Sequence, residues 1–149
     1  MDIDFKHKYE FIRISSVLEH VLHPEKFLNK ISSLLEENGE CQISIPNTNS
    51  IYFKLFGKCW TALDVPRHLH GFSDGNIKLL AEKQGLKVEK MEYAARGSFS
   101  GILRNSVKIK LGLRIPDPFN IFALLFLPVD IIANWLKLSD SINVTVVKK

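Results

Sequence analysis

The feature that most constrains this chain is a strand–helix–strand succession near its start. Tyr9 to Ser15 is a short, apolar, β-leaning run that ends in small hydroxyl residues. Such a run suits a strand buried on both faces. After a turn through Leu18-Glu19-His20-Val21, the stretch from Pro24 to Glu37 carries Phe27, Leu28, Ile31, Leu34 and Leu35 at helical spacing. Pro24 fits the first helical position, and Gly39 stands just past the end as a stop signal. Cys41 to Ile45 is a second strand, closed by Pro46-Asn47. A strand, a helix and a strand joined this tightly cross over right-handed into a parallel sheet. The polar loop that follows the first strand is where open α/β sheets place their ligands.

Beyond Asn47 the pattern becomes irregular and aromatic, with Tyr52, Phe53, Phe56, Trp60 and Phe72 interrupted by Gly57, Pro66 and Gly71. A long aromatic insertion after a strand reads as a lid or substrate loop, here 48–72. Ser73 caps a helix from Asp74 to Gln84, and Gly85 stops it. Leu86 to Tyr93 alternates apolar with charged residues, as a strand with one wet face does. Ile102 to Leu113 fits a basic amphipathic helix, while 96–118 as a whole suggests no role. An apolar helix follows at 119–138, and Ser141 to Val147 closes the chain as a strand. The unbroken apolar run Ile121 to Leu127 falls far short of the about 20 residues a bilayer requires. That helix is expected to pack on the sheet as part of the core, with a membrane-surface contact as the alternative. The order β-α-β-lid-α-β-α-β describes one α/β domain over residues 1–149 with helices on the faces of its sheet.

Composition narrows the classes. Of 149 residues, 46% are hydrophobic and 24% charged, which argues for a folded globular chain. A formal charge of +4 without a Lys/Arg block gives no nucleic-acid face. Cys41 and Cys59 form no CxxC pair, so a reducing, cytoplasmic setting is expected. Met1 to Lys6 has no apolar signal core.

Several motifs, in order, carry a resemblance. Ser16-Val17-Leu18-Glu19-His20-Val21 with Pro24, then Leu34-Leu35 and Gly39, then Ile45-Pro46-Asn47, resemble the later half of a class I SAM-dependent methyltransferase. Trp60, Leu63-Asp64, Pro66-Arg67-His68-Leu69 and Phe72-Ser73 extend the likeness, which is nearest to the quinone O-methyltransferase-like subfamily. The resemblance implies a partial Rossmann-like sheet in three α/β/α layers, holding the strands equivalent to 4, 5, 6 and 7 of the family order 3-2-1-4-5-7-6, the last of them antiparallel. It implies S-adenosylmethionine as cofactor and a small-molecule acceptor methylated on O, N or C. No GxGxG segment occurs in the 149 residues. The chain therefore reads as the C-terminal portion of that fold, with an open edge on its first strand. An open apolar edge invites a second copy of the chain or a complementary N-terminal fragment. The competing expectation is a non-catalytic fragment or subunit that binds a partner through that edge.

The resemblance places Ser15, Ser16 and Glu19 beside the cofactor. His20 and His68 are the candidates for a catalytic base, because an imidazole titrates near neutral pH. Trp60, Arg67 and His70 are the candidate substrate contacts, Arg67 for an anionic group. Glu19, His20 and His23 are ligand types, but three neighbours without a fourth are a weak zinc signal. In some quinone O-methyltransferases an acidic residue three before the Glu completes a metal site. Ser16 stands at that place, and no metal is expected.

Overall fold

The computed structural model describes residues 7–95, 99–112 and 121–149. Its strands are β1 (Tyr9–Ser15), β2 (Leu35–Pro46), β3 (Leu86–Ala94) and β4 (Ser141–Lys148). They form a single sheet in the order β1-β2-β4-β3. β1 and β2 run parallel, with Ile12 opposite Cys41 and Ile14 opposite Ile43. β4 runs antiparallel to both of its neighbours. This is the 4-5-7-6 arrangement that the resemblance implied, reversed strand included.

The sheet holds because β2 and β4 present matched apolar residues. Ile43 and Ile45 of β2, and Ile142, Val144 and Val146 of β4, are at most 1% exposed. Helix α1 (Pro24–Leu34) lays Leu28 and Ile31 against this layer. A short helix, α2 (Ile51–Phe56), opens the segment 48–72, called the lid for its position over the β1 turn, and α3 (Asp74–Lys83) adds Ile77 and Ala81 to the core. Ser73 starts α3 with a capping box, its hydroxyl accepting from the Asn76 N–H while the Asn76 side chain accepts from the Ser73 N–H.

The structure corrects the first helix boundary. α1 ends at Leu34 rather than Glu37, and Gly39 lies inside β2 instead of stopping the helix. Leu35 is both the end of the helix, its N–H bonded to the Ile31 carbonyl, and the first β2 partner of β1, opposite Tyr9. The register then jumps to Phe11 opposite Glu40, so Glu36, Glu37 and Asn38 bulge into solvent. A Cβ at Gly39 would sit 2.7 Å from the Tyr9 carbonyl oxygen and 3.0 Å from the Glu36 nitrogen. Glycine is required there by backbone approach. Gly39→Ala should cost about 1–3 kcal/mol, read as a lower urea midpoint at unchanged slope.

The second correction concerns the apolar helix. Helix α4 (Phe99–Leu111) and helix α5 (Ile121–Trp135) pack on each other and on the lid. α5 was expected to be a core helix on the sheet. Instead Leu124, Leu125, Ile131, Ile132 and Trp135 are exposed, while Asp130 and Ala133 are buried. Its inward stripe meets a second apolar cluster of Tyr52, Trp60, Ile102 and Ala133. Asp130 anchors it, accepting from the Tyr52 hydroxyl and from the Phe99 N–H. Burial, and then the Asp130 carboxylate, raises the Tyr52 pKa. No helix among the described residues is long and apolar enough to cross a membrane. The reading of Met1–Lys6 and the start of the 119–138 helix fall outside the described residues, as do 96–98 and 113–118.

Cys41 is fully buried in β2, and burial pushes its thiol pKa up to about 12. Cys59 is partly exposed, and both cysteines are free. A protonated, buried thiol reacts slowly. N-ethylmaleimide should therefore add once to the native chain, at Cys59, and twice in denaturant, as intact mass would show.

Candidate active site

β1 ends at Ser15, and the chain turns at once. Ser16 takes a φ of 54°, in the left-handed region that non-glycine residues seldom occupy, and its N–H donates to the Ser44 carbonyl of β2 at 2.9 Å. Such a conformation persists only where the surrounding structure holds it. A 3-10 turn over Leu18–His20 follows, with Leu18 and Glu19 buried.

The lid comes back to this turn and is tied to it through main chain. The Glu19 carbonyl accepts from the Leu69 N–H at 2.8 Å and the His70 N–H at 3.2 Å. His20 Nδ1 bonds the Arg67 carbonyl at 2.9 Å, a contact between residues 47 positions apart. The lid's own ends are fixed by Asn47, which is fully buried: its side-chain amide donates to the Ser139 carbonyl and its carbonyl oxygen accepts from the Asn49 N–H. Thr48 in turn bonds Phe72 through both its N–H and its hydroxyl.

These ties bring three chemical side chains together. One ligand atom each from Glu19, His20 and His68 lies within 4.8 Å of the others. The His20 and His68 rings meet edge to face at 4.6 Å. His68 Nε2 lies 3.9 Å from Glu19 Oε1, too far for a hydrogen bond. Glu19 is 1% exposed, and neither carboxylate oxygen has a hydrogen-bond partner among the described residues. A buried carboxylate is costly unless a cation or a proton donor stands beside it, and here the nearest candidate is the His68 imidazole.

Next to the cluster is a cavity of about 230 Å³ at the end of β2, lined by Pro46, Thr48, Trp60, Leu63, His68 and His70 among others. The Trp60 indole N–H and His70 Nε2 are buried without partners among the described residues. Trp60 is also a packing anchor, tilted on Phe53 at 5.6 Å.

The remaining candidates lie elsewhere. Arg67 is exposed and its guanidinium is engaged by Asp64 at 2.6 Å, the ion pair that ordinary loop packing would give. That hydrogen bond holds the Asp64 carboxyl below its ordinary pKa, so its contribution to the lid is present above the ordinary carboxylate range and fades as pH falls through the lowered value. His23 is exposed beside Glu25 at 3.4 Å, away from the cluster. Ser15 and Ser16 are exposed at the end of β1, and Glu19 turns its side chain to His68. Sequence reasoning missed the Glu19–His68 approach, and it missed Asn47 as the hub of the lid.

Residues 2–91 match the family model of the methyltransferase domain. The chain belongs to that family. No curated protein sequence matches it. Among solved structures this methyltransferase chain is similar to a SAM-dependent methyltransferase of Thermotoga maritima, a possible histamine N-methyltransferase, at 14% identity and a TM-score of 0.58 over 98% of this chain. A SAM-dependent methyltransferase of Archaeoglobus fulgidus gives 15% identity and a TM-score of 0.57 over 95%. The 1,6-didemethyltoxoflavin-N1-methyltransferase of Burkholderia thailandensis, solved with S-adenosylhomocysteine, gives 13% and 0.52 over 99%. The chain spans 60% of the length of the first two proteins and 47% of the third. These likenesses concern the Rossmann-like fold, and the cofactor of the family is S-adenosylmethionine.

Ser15 and Ser16 are exposed at the carboxyl end of β1, at the turn where Ser16 takes its positive φ. Among the described residues, β1 has no strand on its other side.

Proposed function

We propose that this chain forms the acceptor-binding part of a SAM-dependent methyltransferase that methylates O, N or C of a small molecule. The observation that supports it is the Glu19–His20–His68 cluster beside a 230 Å³ cavity, next to the carboxyl ends of parallel strands. S-adenosylmethionine, when bound, supplies an electrophilic methyl on a sulfonium. The chain's own residues align the acceptor and receive its proton. The acceptor lies in the cavity against Trp60 and His70, with the partnerless indole N–H and imidazole nitrogen available to its polar groups. An anionic substituent would compete with Asp64 for the exposed Arg67 guanidinium. In the cation-free chain, the Nε2 of His68 or His20 accepts the acceptor proton, and the buried Glu19 carboxylate stabilises the imidazolium that results. Ser15 and Ser16 line the cofactor.

The finer assignment, a C-terminal portion of the quinone O-methyltransferase-like subfamily in a reducing cytoplasm, belongs to the same proposal. It rests on the motif order and on the two free cysteines.

A second reading has an observation of its own. β1 is at the edge of the described sheet, with Phe11 48% and Tyr9 38% exposed. A second copy or an N-terminal fragment pairing there would cover that edge. Calorimetric titration with S-adenosylmethionine and S-adenosylhomocysteine, with the solution mass measured in parallel, separates the two. Saturable micromolar binding supports the enzyme reading. Ser16→Gly keeps the left-handed turn and removes the hydroxyl, and should weaken that binding about 3–10-fold. His68→Gln should lower turnover about 10²–10⁴-fold with cofactor affinity unchanged. No heat up to millimolar ligand from a well-folded dimer would leave only the partner-binding reading.

A further inference from the structure

We propose that Glu19, His20 and His68 form a site for a divalent transition cation such as zinc. The tautomers carry the first argument. His20 Nδ1 bonds the Arg67 carbonyl at 2.9 Å and His68 Nδ1 bonds the Ala62 carbonyl at 2.8 Å. A carbonyl only accepts, so both Nδ1 atoms hold the hydrogen, and each neutral ring presents its Nε2 lone pair. An imidazole whose Nδ1–H is bound to a backbone carbonyl is the usual outer-shell arrangement of a metal-ligating histidine.

The carboxylate gives the second. Glu19 is 1% exposed with both oxygens lacking a hydrogen-bond partner, and the nearest imidazole nitrogen stops 3.9 Å away. That separation is too long for a hydrogen bond and close to the spacing of two ligands around one ion. Ligands about 2.1 Å from a tetrahedral zinc lie roughly 3.4 Å apart. The widest separation in the trio is within 4.8 Å. His20 is exposed, so its ring has room to close the remainder.

Two imidazoles and a carboxylate make the three-ligand set of catalytic zinc sites, which keep a further position open. His68 also lines the 230 Å³ cavity, so the open position has space for water or an acceptor atom. The ligand set differs from the one the resemblance suggested, because His68 arrives from the lid while Ser16 is exposed at the end of β1. The inference rests on the proposed function only in placing the acceptor at that open position. An Nε2 lone pair holds either a cation or a proton. With the cation bound, an acceptor hydroxyl would be acidified as a ligand rather than by a free imidazole.

The test is titration of the chelator-stripped chain with Zn²⁺ by calorimetry and with Co²⁺ by visible absorption. One equivalent should bind with micromolar or tighter affinity, and cobalt should show the intense bands of a low-coordinate site. Glu19→Gln and His68→Gln should each weaken binding at least about 10–100-fold, and His23→Gln should leave it unchanged. His20→Gln, at an exposed position, serves if the buried variants fail to fold. Equal affinity in wild type and His20→Gln, or loss of binding in His23→Gln alone, would overturn the proposal. S-adenosylhomocysteine binding measured on the same samples keeps a failure of the cation site distinct from a failure of the methyltransferase reading.

Discussion

The structure depends on the pairing of β2 with β4. It joins strands whose inward residues are fully buried, and it sets β4 antiparallel between two neighbours, β2 and β3, that hold the sheet's length. Ser44 and Asn143, opposite one another in that pair, also bond through their side chains. At the end of β2 the same register delivers Asn47 to the chain before β4, where its N–H meets the Asp140 carbonyl and its side chain meets Ser139. That anchor fixes where the lid starts, while the main-chain bonds from Leu69 and His70 to Glu19 fix its approach to the turn.

Two apolar clusters divide the work. The larger one, between the sheet, α1 and α3, supplies hydrophobic stabilisation in the ordinary way. The smaller, around Tyr52 and Trp60, fastens the lid to α4 and α5. Its polar element is the Tyr52–Asp130 bond, whose partners are both buried. A hydrogen bond inside such a cluster fixes geometry more than it adds stability, since each partner surrenders water to form it. The lid is therefore positioned at both of its faces: by backbone on the Glu19 side and by aromatic packing on the α5 side.

Much of the fold was legible in the chain. Regular apolar repeats located α1, α3, β3 and β4 to within a few residues, and an apolar run located β1. Of the β1 residues only Ile14 is buried, where burial on both faces is expected from the sequence. The end of α1 was misread because Gly39 fits a stop signal as well as it fits a close backbone contact, and only the neighbouring strand distinguishes the two. The α5 helix was misread for another reason. Its composition is apolar on nearly all sides, so no periodicity says which stripe turns inward. The site was half legible. Glu19-His20 and Arg67-His68 stood out as chemistry, but nothing local in either stretch announces that they meet. That meeting is written in main-chain bonds, which have no residue signature.

The same fact has an evolutionary side. The clamp between Glu19 and Leu69-His70 uses only amide and carbonyl groups. Substitutions at Leu69 or His70 that keep ordinary backbone geometry leave those bonds in place. The wall of the cavity can thus be rewritten residue by residue while the approach of the lid to the turn stays the same. On the proposed function, a scaffold of this kind would let acceptor preference change without each substitution having to solve folding anew.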